Sequence, residues 1–272
     1  VTDEAHDLTT LLALEPHGPD VYVGISAPTP WGRVYGGQVV AQGLRAAAAT
    51  VEPTHEVHSV RAYFIRGGEQ GEPIRFEVDR IRNGRSFVTR RVVARQSSGA
   101  ILNLDASFQR AEDRADVQVR PAPIDEVPGP DDVPSLTWGP LHDRRIVLAD
   151  RDAGRLVAWQ RVLGPLKDDP VTAACALAFA SDDVPLAAAR TTHPVPPTHG
   201  RPNPAIAMSA SLDHAVWFHR PFAADEWLLY DLRSQGWTGG RGLAFGEVFR
   251  ADGTHVASVA QEGLVREVEP GA

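Results

Sequence analysis

The sequence predicts an α+β protein built from two tandem copies of one unit, each an antiparallel sheet curled around a helix. Three observations carry that expectation. Each half of the chain runs from a strand to an alanine-rich helix and then to several alternating, strand-like segments. Between the halves, residues 113–137 (DRADVQVRPAPIDEVPGPDDVPSLT) are rich in proline and acid and sustain no periodicity, as a linker does. Finally, SVRAYFIR (59–66) aligns with DHAVWFHR (213–220), matching Tyr63 to Trp217, Phe64 to Phe218 and Arg66 to Arg220. From those arginines to Gln109 and Gln261 the spacings are 43 and 41 residues, near-equal as a duplication requires.

In the first half, DVYVGISAP alternates as a strand does, and GGQVVAQGLRAAAATV follows with Val39, Val40, Leu44, Ala47 and Ala48 at helical spacing. HSVRAYFI, PIRFEVDRIR, SFVTRRVVARQ and AILNLDASFQ then read as strands, joined at the turn signals Gly67-Gly68, Asn83-Gly84 and Ser98-Gly99. The second half repeats the order. RLVAWQRVL is a strand, DDPVTAACALAFASDDVPLAAAR one long helix, and SLDHAVWFHRPF, EWLLYDLRSQ, GLAFGEVFRA and HVASVAQEGLVRE are strands. A sheet wrapped around one central helix is the arrangement called a hotdog, so the chain is expected to be a double hotdog: residues 1–112, the linker 113–137, and residues 138–272. Joining the two sheets edge to edge would satisfy strands otherwise open to aggregation.

Composition narrows the function classes. At 272 residues with 43% hydrophobic side chains, the chain can bury a substantial core. Its one cysteine, Cys175, excludes an internal disulfide and points to a reducing, cytoplasmic compartment. No uninterrupted apolar run reaches the roughly 18 residues of a membrane helix, and the acidic start VTDEAHD is unlike a signal peptide, so no membrane partner is expected. The net charge of -8 argues against nucleic-acid binding, although nine arginines between Arg61 and Arg95 leave room for an anionic small ligand.

The sharpest candidate for chemistry is Asp213, which stands with His214 at the head of the apolar run Ala215-Val216-Trp217-Phe218. A carboxylate there costs several kcal/mol to desolvate unless it is hydrogen-bonded or poised for a task. Capping a strand end is its ordinary alternative. Gln261, among small alternating residues on a central strand, must satisfy both a donor and an acceptor. With a hydroxyl, for which Ser234 and Thr238 are the local candidates, Asp213 and Gln261 could hold one water. Gly36, Gly37 and Gln38 open the first helix, where glycines admit a ligand to helix N-terminal amides able to stabilise an oxyanion. The histidine pairs His55/His58, His193/His199 and His214/His219 lack a supporting carboxylate pattern, and no metal or cofactor is expected. No nucleophile elbow, phosphate loop or dinucleotide fingerprint occurs.

Several segments together resemble one family, the type II acyl-CoA thioesterases of double hotdog fold. They are RVYGGQVVAQGL (33–44), VHSVRAYFIRGG (57–68), RNGRSFVTRRV (82–92), ASFQ (106–109), LAFASD (177–182), LDHAVWFHRPF (212–222), EWLLYD (226–231), RGLAFGEVF (241–249) and VASVAQEGLVR (256–266). The resemblance implies hydrolysis of acyl-CoA thioesters to free acid and CoA by a water held between an aspartate, a serine or threonine, and a glutamine, with no metal. Carried over by position, the aspartate falls on Asp213 and the glutamine on Gln261. The hydroxyl position falls on Gln235, so Ser234 beside it is the expected replacement. Trp217 would line the acyl tunnel, and Gly37 and Gln38 would lie near the acyl or pantetheine path. Ser59 stands where Asp213 would be in the first half, so a single site is expected, together with a homo-oligomer. The substitution at Gln235 keeps open a non-catalytic acyl-CoA-binding protein. An enoyl-CoA hydratase is disfavoured, because His214 and Asp213 as strand neighbours face opposite sides.

Overall fold

Alternation decides which side of each strand is covered, and in the computed structural model, which describes residues 7–195 and 206–268, it does so twice along the chain. The elements are α1 (Leu8–Leu12), β1 (Glu15–Pro16), β2 (Val21–Gly24), α2 (Gly36–Ala48), β3 (His55–Phe64), β4 (Ile74–Asn83), β5 (Phe87–Gln96) and β6 (Gly99–Arg110). Beyond the connecting segment come β7 (His142–Asp150), β8 (Arg155–Val162), α3 (Pro170–Ser181), α4 (Val184–Thr191), β9 (Ile206–Ser211), β10 (Asp213–Phe218), β11 (Leu228–Thr238), β12 (Arg241–Arg250) and β13 (His255–Glu267). The connecting segment contains no strand, only two single 3-10 turns.

All the described strands form one antiparallel sheet in the order β1-β2-β4-β5-β6-β3-β10-β13-β12-β11-β8-β7, with β9 pairing β13. The two halves therefore meet edge to edge at β3 and β10, as anticipated. The register there is reciprocal: Tyr63 pairs Asp213 while their duplicates Trp217 and Ser59 pair each other, and the duplicates Arg61 and Ala215 stand opposite one another. Such an exchange is what a two-fold axis between copies demands, and it centres on the equivalent positions Arg61 and Ala215.

The sheet curls around α2 and α3, which pack against each other. α2 buries Val39, Val40 and Leu44 in the core and lays Gly43 over Leu102 and Leu104 of β6 and Phe76 of β4. Each such fully buried side chain contributes roughly 1.5–3 kcal/mol. α3 is capped by Asp169, which accepts the Thr172 amide at 2.9 Å, and starts on Pro170. From Ala174 to Ser181 every residue of α3 is buried, so the long apolar run of the second half is a core helix enclosed by both halves.

That run departs from the sequence expectation in one respect: it is two helices, broken at Asp182-Asp183. Pro185 lacks the N–H that would bond the Ser181 carbonyl and disfavours helix at Val184 before it. SLDHAVWFHRPF likewise divides into β9 and β10, and the edge strand β7 was not legible because its alternation is interrupted by arginines and a register shift.

Candidate active site

Gln261, on β13, is the buried polar residue around which the inner face is organised, with 1% of its surface exposed. Across the sheet it stands opposite Ala244 of β12, which stands opposite Ser234 of β11. On the other side, β10 pairs Ala215 with Ala260, so His214 is the inward residue nearest Gln261. His214 is fully buried and its Nε2 hydrogen bonds the Ser181 hydroxyl at 2.8 Å. Burial pushes its imidazole down to about 3, leaving it neutral.

The Gln261 amide is held at both ends. Its Oε1 accepts the Leu186 amide in the first turn of α4 at 3.1 Å, and its Nε2 donates to Asp182 Oδ1 at 2.5 Å. Asp182 follows directly on α3 and is 5% exposed. Burial drives its carboxyl up to about 7, against the pull of the Gln261 hydrogen bond; the neighbouring charge of Asp183 raises it further, and the Gly37 amide opposes. Asp183 points elsewhere, to His142, Arg144 and the Trp138 indole, and these partners outweigh its burial and hold it below the usual range.

Asp213 opens β10 opposite Tyr63, whose side chain is 65% exposed, and its Oδ1 accepts the Glu262 amide at 2.6 Å. At this point β13 changes partner from β9 to β10 and the register slips by one, since Gly263 pairs Ser211 while Ala260 pairs Ala215. The carboxylate fills the gap that the slip opens. Burial raises its pKa, the Glu262 amide opposes, and the Glu262 charge adds to the rise. Asp213 is thus one peptide unit from Gln261.

The third expected member is not brought to the other two. Ser234 lies two strands from Gln261, about 10 Å across the sheet. Its hydroxyl pairs with Thr192 at 2.8 Å and reaches the Ala189 carbonyl at 3.4 Å, both at the far end of α4. Gln235 is the bulge residue between the paired Ser234 and Gly236, with an exposed side chain, and Thr238 closes β11 opposite Arg241. The Ser181 hydroxyl is instead bonded to His214, the inward residue beside Gln261 on β10.

The expected substrate contacts also shift. Gln38 spends its amide inside the protein, accepting from Ala27 N and donating to Ile25 O and Gln42 Oε1. Gly37 permits a close approach, since a β-carbon there would lie 2.3 Å from the Phe179 carbonyl, but its amide faces Asp182. Trp217 is on the outer face, opposite Ser59 and Ser258, with the Arg61 guanidinium 5.5 Å from its ring centroid; alternation gives the inner place to Val216. Sequence reasoning passed over Asp182 and Ser181 and weighed His214 only as a partner of Asp213 in a hydratase. The one available signal was the LAFASD segment, an acid ending an otherwise apolar helix.

An open cleft of about 350 Å³ lies away from this cluster, between the connecting segment and the outer face of β11 and β12. Its arginines are paired with acids, Arg155 with Asp231 and Glu126, Arg120 with Glu247. Among the described residues no three histidine, cysteine or acidic side chains gather as metal ligands; His199 lies outside those residues.

Comparison with known proteins agrees in both halves. Residues 26–109 match the family model of the acyl-CoA thioesterase N-terminal domain, and residues 112–265 that of the acyl-CoA thioesterase C-terminal domain. The chain is 33% identical to acyl-coenzyme A thioesterase 8 of Mus musculus over 95% of its own length and 88% of the relative's. It is 31% identical to acyl-CoA thioesterase 2 of Haemophilus influenzae over 98% and 99%. Among solved structures, the acyl-CoA thioesterase II TesB2 of Mycobacterium marinum superposes with a TM-score of 0.83 at 41% identity, covering 97% of this chain and 99% of that one.

Proposed function

The chain belongs to the acyl-CoA thioesterase family, and on that premise we propose that its thioester hydrolysis is run by a water set between Asp213 and Gln261. The observation that carries the reading is the placement of a half-buried carboxylate, raised in pKa, one peptide unit from a buried and fixed amide. Asp213 Oδ1 is committed to the Glu262 amide, which leaves Oδ2 as the basic atom. Gln261 retains one Nε2–H and one Oε1 lone pair beyond its bonds to Asp182 and Leu186, enough to orient a water.

In the reaction, Asp213 takes a proton as the water oxygen attacks the thioester carbonyl carbon. The tetrahedral oxyanion collapses, the C–S bond breaks, and the leaving CoA thiolate recovers the proton from Asp213, giving free acid and thiol. A hydratase reading gains nothing from His214, whose Nε2 is engaged by Ser181 and whose imidazole burial keeps neutral. Self-association belongs to the same proposal, supported by Tyr63, Phe245 and Trp217 on the outer face of the central strands.

Thiol release from a panel of short, medium and long acyl-CoAs tests the reading. Asp213→Asn is expected to lower kcat by about a hundred- to ten-thousand-fold, the span of general-base assistance. Because its pKa is raised, wild-type turnover should climb with pH through a midpoint above the ordinary carboxylate range. Absence of thiol release from every ester by folded protein, with acyl-CoA still bound, would leave an acyl-CoA-binding protein instead.

A further inference from the structure

α2 begins without a cap of its own: Tyr35, at the capping position, makes no side-chain hydrogen bond to the first turn. What meets that helix end is a side chain from the other half of the chain. A β-carbon on Gly36 would lie 2.8 Å from Asp182 Oδ2 and 2.9 Å from the Phe64 ring, so only glycine lets the helix end come so near the carboxylate. The close approach expected for a ligand at Gly36-Gly37 is filled by the protein's own acid.

The other oxygen of that acid decides how Gln261 sits. An ionised carboxylate only accepts hydrogen bonds, so the amide nitrogen of Gln261 must face Asp182 and the amide oxygen must face the Leu186 N–H. Turning the amide over would set oxygen against carboxylate and NH2 against N–H, losing both bonds. No other side chain hydrogen bonds this amide among the described residues, and its cross-strand partner Ala244 is too small to hold it by packing. Asp182 is itself not free to move: burial, the α2 terminus and Gln261 surround it.

We infer that Asp182 is a positioning residue of the thioesterase site, fixing one of two orientations of the Gln261 amide and bracing it against the first turn of α2. This rests on the reading of Gln261 as the group that orients water. It gives the first half of the chain, which carries Ser59 in place of a catalytic acid, a share in the chemistry: its helix terminus supports the acid that holds the amide. A protonated Asp182 can donate its O–H to Gln261 Oε1, so as the carboxyl gains its proton the flipped amide forfeits only the Leu186 bond rather than both. The charged or titratable groups around it are Asp183 and the Tyr35 phenol, with the Gly37 amide and Gln261 as neutral partners.

The test joins kinetics to a direct view of the amide in the full-length protein. Asp182→Asn and Asp182→Glu are compared with wild type by thiol release across pH 5.5–8.5. The Gln261 side-chain NH2 is followed by 15N–1H correlation spectra and assigned by its loss in Gln261→Ala. The expected results for Asp182→Asn are a kcat about 10- to 100-fold lower, a KM within about threefold, and loss of a limb centred near pH 7, where the carboxyl titrates. The wild-type amide signal should shift with the same midpoint and be insensitive to pH in the asparagine variant. An amide signal unmoved by Asp182→Asn, or folded variants that keep wild-type kcat and pH profile, overturns the inference. If wild type hydrolyses no ester while the amide still follows Asp182, the positioning stands and the assignment of the reaction falls.

Discussion

Replacing Asp182 with asparagine should change the pH dependence of stability, by an amount that follows from burial. In the folded chain the carboxyl is raised from 3.8 to about 7, chiefly by desolvation. A carboxyl raised on folding contributes stability that is present in full below its unfolded pKa and is lost as pH rises through the folded one. Over the full interval the loss is about 4 kcal/mol at 1.36 kcal/mol per unit, and between pH 5 and pH 8 it is about 2.5 kcal/mol. Asparagine has no proton to release. The stability of Asp182→Asn relative to wild type should therefore improve by about 2.5 kcal/mol between pH 5 and pH 8, whatever the offset between the two proteins at pH 5. Guanidinium denaturation of both proteins at half-unit pH steps measures this, with the linear slope m checked for constancy. A difference that stays flat within about 0.5 kcal/mol would show that Asp182 ionises normally in the fold, and that the helix terminus and Gln261 fully offset its desolvation.

Three further outcomes are expected. Ser234→Ala should leave thiol-release kcat within about threefold, because its hydroxyl serves the end of α4, while denaturation detects a loss of about 1 kcal/mol for the broken Thr192 and Ala189 contacts. Gly37→Ala should cost about 1–3 kcal/mol in the same assay, since its β-carbon would stand 2.3 Å from a backbone oxygen that cannot swing aside. Arg90→Met should cost about 2–4 kcal/mol by denaturation. That guanidinium, 2% exposed, donates to Thr50 O and Oγ1, Arg82 O, Thr89 O and Asn83 Oδ1, tying the end of α2 to the β4-β5 hairpin, and a thioether leaves those acceptors unpaired.

The amino-acid sequence by itself determined the α+β class, the duplication, most strands and both central helices, because period-two and period-3.6 patterns are local and each half repeats them. It also singled out Asp213 and Gln261, polar groups set where only bound or working ones are tolerated. What only the tertiary structure decided was which polar groups share a face and a neighbourhood. Ser234 is close to the expected position along the chain yet two strands from Gln261, since distance across a sheet is set by strand order. Trp217 faces outward because one residue of phase selects the side of a strand, and Val216 holds the inward phase. Asp182 joins the site because Pro185 breaks the apolar helix after Ser181 and the packing of α3 on α2 brings that break to the Gly36-Gly37 terminus. Contacts between residues 79 apart, such as Asp182 and Gln261, leave no periodic trace in either segment, and only the closed sheet creates them.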